Sequence, residues 1–327
     1  MKKSSWLFTM LLIFSTMITV SANNWISMWI GLELNMMSFV PLMLNKINKS
    51  SSEAAMIYFL VQSVSSILML MMVLINMFKI MNKSYLINSI ISMSIMIKLG
   101  AAPFHMWLPK IMSNMGWKNC MILMTWQKIA PLLLLSNINN NMIINVSIIW
   151  SIMIGGLGGI NQTSLRKMMG YSSINHLGWL LAINKSMNLW MIYMMIYSMM
   201  IMSICKMFSI YKIYFINQMS NINMNNTEKM GLSIMMLSMG GLPPFIGFLP
   251  KWITIQSMIN QQEYFLVFIM IMFSLIPLMY YLRIMINMFL SFNISNKWSY
   301  NYSYNYSMLM IMIINMSLPL IMIMDIL

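Results

Sequence analysis

Long apolar runs with almost no charge recur along this chain, each separated from the next by a short cluster of Asn, Ser, Lys or Gly. They fall at about 5–21, 25–44, 54–78, 85–104, 117–136, 142–160, 170–184, 188–214, 230–249, 261–282 and 304–325. Each has roughly the ~20-residue length that carries a helix across a hydrocarbon core. In lipid every backbone N–H and C=O needs a partner inside the protein, and an α-helix supplies its own. The expected fold is therefore all-alpha, a polytopic transmembrane helical bundle of about 11 helices forming one membrane domain over 1–327. Composition excludes a soluble fold: 60% of residues are hydrophobic and 7% charged, too few charges to cover a water-facing surface.

The net charge of +14 arises from 19 Lys and Arg against five Asp and Glu, scattered between apolar runs without a basic patch or interleaved aromatics. That pattern does not support nucleic-acid binding. It does carry topology. With the N-terminus on the inner side, twelve basic residues at loops or span edges lie inside, and only Lys79, Lys83, Lys185 and Lys251 lie outside. Met1-Lys2-Lys3 before the run Trp6–Val20 has the outline of a signal peptide, but ten similar runs follow and a retained first span is the better reading. Cys120 and Cys205 sit in apolar segments, so neither a disulfide framework nor a metal-ligand spacing is expected. Fifty methionines spread over all spans are apolar filler.

Two stretches interrupt this pattern in the same way. Lys98-Leu99-Gly100-Ala101-Ala102-Pro103-Phe104-His105-Met106-Trp107-Leu108-Pro109-Lys110 closes the fourth run, and Gly241-Leu242-Pro243-Pro244-Phe245-Ile246-Gly247-Phe248-Leu249-Pro250-Lys251 closes the ninth. Gly100, Pro103, Phe104, Leu108, Pro109 and Lys110 match Gly241, Pro244, Phe245, Leu249, Pro250 and Lys251 in register. Biased composition supplies apolar matches but not paired glycines, prolines and lysines. Proline-broken spans at corresponding places predict a transporter with two internal repeats, roughly 20–140 and 142–282, each with one discontinuous helix, and a C-terminal helix at 304–325.

Elsewhere, Ser50-Ser51-Ser52-Glu53 reads as a helix start with hydroxyl caps. Gly155-Gly156-Leu157-Gly158-Gly159 permits close helix contact or an unwound terminus, and it lacks the Lys and hydroxyl of a phosphate-binding loop. Ser291 to Tyr306 reads as a polar loop entering an interfacial tyrosine belt.

Ionisable side chains inside spans are costly, about 2.5–3.5 kcal/mol on insertion scales, and mark functional sites by default. Glu33 lies near the middle of the second span, Lys98 just before the first break, Lys128 inside the fifth span and Lys251 just after the second break. A chain of lysines with one glutamate can exchange protons when hydration or a neighbouring charge changes. The competing reading of each is a quiet ion pair or a lysine stem reaching for the interface. His105 and His176, the only two histidines, are as well explained by structural hydrogen bonds as by proton carriage. Lys206, close to the inner end of its span, is read as a snorkelling side chain.

Trp29-Ile30-Gly31-Leu32-Glu33-Leu34-Asn35, Lys98 to Pro109, Leu123-Met124-Thr125-Trp126-Gln127-Lys128-Ile129-Ala130-Pro131, Gly158 to Ser173 and Gly240 to Trp252 together resemble the chain 2 family of mitochondrial NADH:ubiquinone oxidoreductase, respiratory complex I. The resemblance covers essentially the whole chain, and the Met-rich composition is similar to that of arthropod mitochondrial products. It implies a proton-pumping, antiporter-like membrane-arm subunit of eleven helices in the mitochondrial inner membrane, with its N-terminus in the matrix. It also implies relay roles for Glu33, Lys98, Lys128 and Lys251, with the ninth helix extending beyond 249 to hold Lys251 inside the protein. NADH, FMN, iron-sulfur clusters and ubiquinone would be used by other subunits, with no cofactor or metal bound by this chain. Partners would be the other membrane-arm subunits and phospholipids, including cardiolipin. Two other functions compete: a free-standing cation/proton antiporter, which should carry more intramembrane carboxylates than Glu33, and a purely structural subunit whose lysines are passively paired.

Overall fold

The structure, a computed structural model, describes residues 2–44, 48–78, 84–138, 141–221, 224–289 and 312–319. Over 2–289 the described residues form fourteen helices: α1 Lys2–Ser21, α2 Trp25–Met43, α3 Lys49–Met77, α4 Ser84–Leu99, α5 Trp107–Asn114, α6 Trp117–Met124, α7 Trp126–Ser136, α8 Asn141–Ile160, α9 Leu165–Ala182, α10 Met187–Ile210, α11 Gln218–Asn221, α12 Asn226–Gly240, α13 Phe248–Asn260 and α14 Tyr264–Phe289. The architecture is an all-alpha, polytopic bundle. The tract 291–306 and, apart from 312–319, the last expected span at 304–325 lie outside the described residues, as do Lys46, Lys79, Lys83 and Lys297.

The expected count of eleven, with two breaks, is corrected. Helix interruptions are more frequent than the apolar runs reveal, because apolarity continues through positions where the backbone turns. The fourth run stops being helical at Leu99 and resumes at Trp107. The fifth is cut at Thr125, whose φ of −110° and ψ of −74° depart from helix while its hydroxyl bonds the Met121 carbonyl at 2.8 Å. The ninth ends at Gly240 and restarts at Phe248, reaching Asn260, well past the boundary at 249 set by hydropathy alone. The short α11 falls between spans.

Five helices among the described residues are long and apolar enough to cross a membrane by themselves: α2, α3, α8 (Met142–Ile160), α10 and α14. On α14 the residues Phe265, Phe268, Met272, Leu275 and Met279, three and four apart, form an exposed apolar stripe. The opposite case is α9, where fifteen of eighteen residues are buried. Surrounded by protein, it can carry Ser172, Ser173, Asn175 and His176, which a lipid-facing helix could not.

Small residues bring α8 against α9. A Cβ at Gly155 would lie 2.5 Å from the backbone N of Asn175, and one at Gly158 would strike the Tyr171 ring. The four-glycine run stays helical and serves close contact. At the end of the bundle where α10 finishes, Arg166 Nη1 donates to Met115 O at 2.6 Å, Trp117 Nε1 to Ile213 O at 2.9 Å, and Arg283 donates to Ile160 O and Gln162 O, both at 2.6 Å. The start of α3 uses one of the hydroxyls expected at 50–52: Asn48 is the N-cap residue, and its N–H donates to Ser51 Oγ at 3.1 Å in a capping box. Lys206 is exposed on α10.

Candidate functional site: a buried row of lysines

Gly100 and Gly241 have the only positive φ values among the described glycines, 69° and 77°. Each closes a helix in the same manner. At the first break Ala101 N–H bonds Met96 O and Gly100 N–H bonds Ile97 O; at the second, Leu242 N–H bonds Leu237 O and Gly241 N–H bonds Ser238 O. This is the paired closure that a left-handed residue just past a helix end allows, and a side chain there would be strained.

Lys98 stands in the last turn of α4, where the helix dipole favours a cation, and is 6% exposed. Its own carbonyl accepts from Gln62 Nε2 at 3.2 Å. Glu33, half-buried on α2, is within electrostatic reach of Lys98, and its Oε1 is buried without a hydrogen-bond partner among the described residues. Lys98 and Lys128 line one cavity of about 20 Å³ with Asn35, Tyr58, Gln62 and Gln127. Gln127 spans it, donating to Asn35 Oδ1 at 3.0 Å and accepting from Tyr58 OH at 3.1 Å. A polar space above about 10–15 Å³ can hold a water. Pro131 on the same wall cannot donate to the Gln127 carbonyl four residues back, which leaves that oxygen outside the helix ladder.

Lys128 is 2% exposed. Its Nζ donates to the Ser173 carbonyl of α9 at 3.0 Å and lies 5.3 Å from the Tyr197 ring centroid. One turn further along α9, His176 Nδ1 lies 2.7 Å from Tyr193 OH. Both Lys128 and Lys251 are within electrostatic reach of His176. Lys251, 7% exposed, donates from Nζ to Gly240 O at 2.7 Å and sits 5.7 Å from the Trp179 ring centroid.

Pairwise, then, Glu33 is within electrostatic reach of Lys98, Lys98 and Lys128 line one cavity, and Lys128 and Lys251 are both within electrostatic reach of His176. His105 does not join them: its Nδ1 lies 3.2 Å from Pro103 O, a contact internal to the first break. The sequence reading missed the groups around the lysines and His176: Asn35, Tyr58, Gln62 and Gln127 in the cavity wall, Ser173 and Tyr197 against Lys128, Trp179 against Lys251, and Tyr193 against His176. Amides and tyrosines in mid-span, away from the interfaces where tyrosine usually sits, were the available signal. Among the described residues no three His, Cys, Asp or Glu side chains group as metal ligands.

Interrupted helices and cations buried between them define a multi-pass membrane protein of the antiporter-like kind. Residues 22–277 match the family model described as NADH:quinone oxidoreductase/Mrp antiporter, transmembrane. NADH-ubiquinone oxidoreductase chain 2 of Anopheles gambiae is 45% identical over 91% of this chain and 90% of its own, and that of Locusta migratoria is 41% identical over 89% and 87%. A chain in the structure of respiratory complex I from Thermus thermophilus with bound aureothin superposes with a TM-score of 0.81 at 17% identity, covering 95% of this chain and 75% of that one, which shows the fold. The chain belongs to the NADH-ubiquinone oxidoreductase chain 2 family.

Proposed function

We propose that this chain is a membrane-arm subunit of respiratory complex I that moves protons along the row Glu33–Lys98–Lys128–His176–Lys251, driven by NADH oxidation and ubiquinone reduction elsewhere in the assembly. The observation that carries the reading is that two lysines from different helices line one cavity large enough for water, beside Asn35, Gln62 and Gln127, and that the second and third lysines are both within electrostatic reach of His176. An ammonium held by a carbonyl and an aromatic face, rather than by a carboxylate, keeps no fixed counterion, so its proton answers to neighbouring charge and hydration. Glu33, beside Lys98, is the group whose separation or approach would start the transfer.

In this reading the segments α4–α5 and α12–α13 are the discontinuous helices of two pseudo-repeats, roughly 20–140 and 142–282, and their glycine-closed ends hold the lysines at mid-depth. The protein sits in the mitochondrial inner membrane with its N-terminus in the matrix, as the basic bias of that side supports. NADH, FMN, iron-sulfur clusters and ubiquinone are used by other subunits, and the contacts of this chain are with membrane-arm neighbours and phospholipids, cardiolipin among them. His105 has a structural role at the first break.

The test is Lys128→Ala in the assembled complex, with protons translocated per electron measured in sealed vesicles. A lowered ratio with normal assembly supports the relay. An unchanged ratio with normal assembly overturns it in favour of a structural subunit.

A further inference from the structure

We infer that Glu263 is the carboxylate that takes protons leaving Lys251 and hands them to water at the end of the bundle where α7, α9 and α13 finish; this rests on the relay reading above. Lys251, Thr254 and Met258 are three and four residues apart on α13, share one face and are all buried. Thr254 Oγ1 donates to the Lys251 carbonyl at 2.6 Å. Met258 then forms part of the wall of a second cavity of about 20 Å³, together with Leu181 and Ala182, just past Trp179 on α9. Leu135, Ile138, Ile144 and Ile148 complete its apolar lining, and Ser136, Asn145, Asn184, Lys185, Gln261 and Glu263 supply its polar groups. Lys185 and Gln261 are exposed while Asn184 is buried, so the cavity runs from the surface into the bundle.

Glu263 is half-buried at this mouth. It is not spent on capping α14 with its side chain: its backbone carbonyl accepts from Val267 N–H at 3.2 Å, and Oε2 accepts from Asn145 Nδ2 at 3.2 Å. Other carboxylates have different settings. Glu228 accepts from Tyr211 OH and from the Asn225 N–H inside a capping box at the opposite end, and Glu53 is exposed. A carboxylate bordering a water-sized cavity, whose wall includes a methionine about two helical turns along α13 from a buried lysine, has the chemistry of a proton acceptor with a dry gate. The Lys251 ammonium gives its proton to water admitted past Met258, the Glu263 carboxylate accepts it, and bulk water at the mouth removes it.

Whole complex reconstituted in vesicles tests this with three variants. Glu263→Gln is expected to lower protons per electron to the value of Lys251→Ala, and imidazole trapped on the mouth side is expected to restore Glu263→Gln but not Lys251→Ala. Met258→Ser is expected to dissipate an imposed pH gradient severalfold faster than wild type without NADH. A normal ratio in Glu263→Gln beside a lowered one in Lys251→Ala, a loss that imidazole does not restore, or a wild-type leak in Met258→Ser each overturns the inference. A normal ratio in Lys251→Ala overturns the relay reading itself and this inference with it.

Discussion

The Nζ of Lys251 is 2.7 Å from the carbonyl of Gly240, the residue on which α12 ends. That carbonyl belongs to the last turn, where helix oxygens lack partners and the dipole is negative. A lysine one short loop later supplies the missing donor, and the helix end in turn supplies the partial charge that a buried ammonium needs.

Gly241 is what allows the approach. A Cβ there would stand 2.7 Å from Lys251 Nζ, on a backbone with φ of 77°. Gly241→Ala is expected to cost about 1–2 kcal/mol from the left-handed backbone, and to displace the ammonium as well. Thermal inactivation of the complex should occur at lower temperature, and protons per electron should fall with it. Gly116→Ala is the control, since no atom lies within 4 Å of its added Cβ.

Gln127→Leu removes both bonds across the first cavity and keeps nearly the same volume. Interhelical hydrogen bonds in membranes average about 0.6 kcal/mol. A stability loss of about 1–2 kcal/mol is therefore expected, small beside a marked drop in proton yield, because Asn35 and Tyr58 lose their bridge and the cavity gains an apolar wall. Measuring both in the same preparation separates the two effects: equal yield in the variant and wild type would show that the cavity carries no protons.

His176→Phe keeps the ring packed against Tyr197, whose centroid is 4.9 Å away, and removes both ring nitrogens. Proton yield is expected to fall with assembly intact. Tyr193→Phe removes only the hydroxyl beside Nδ1 and should leave the yield closer to wild type. Equal yields in His176→Phe and wild type would assign the histidine a purely structural role.

Gly155→Ala forces a Cβ against backbone atoms of Asn175 at 2.5 and 2.8 Å, which no side-chain rotation relieves. Overpacking of this kind costs about 1–3 kcal/mol. Since α9 carries Ser173 and His176, the expected result is a lower yield of assembled complex on native gels and, in what assembles, reduced proton transfer.

The sequence alone shows that this chain crosses a membrane many times, because runs of Met, Ile and Leu without charge have no other stable setting. It also marked Lys98 and Lys128 as inside the bundle and paired the breaks at Gly100 and Gly241, since cost in lipid and backbone permissiveness are local properties, whereas the charge count put Lys251 on the outer side and only the family resemblance drew it inside. Local pattern failed where apolarity and helicity part company, as at Thr125, and it did not reveal that the run at 170–184 is the element most enclosed by protein, α9. Which groups meet is set by helix packing: Lys128 faces the Ser173 carbonyl, Gln127 joins Asn35 to Tyr58, and Glu263 faces Asn145. Those partners lie 45, 92, 69 and 118 residues apart. Partner choice over such separations follows from how the helices pack, and no periodicity within one span encodes it.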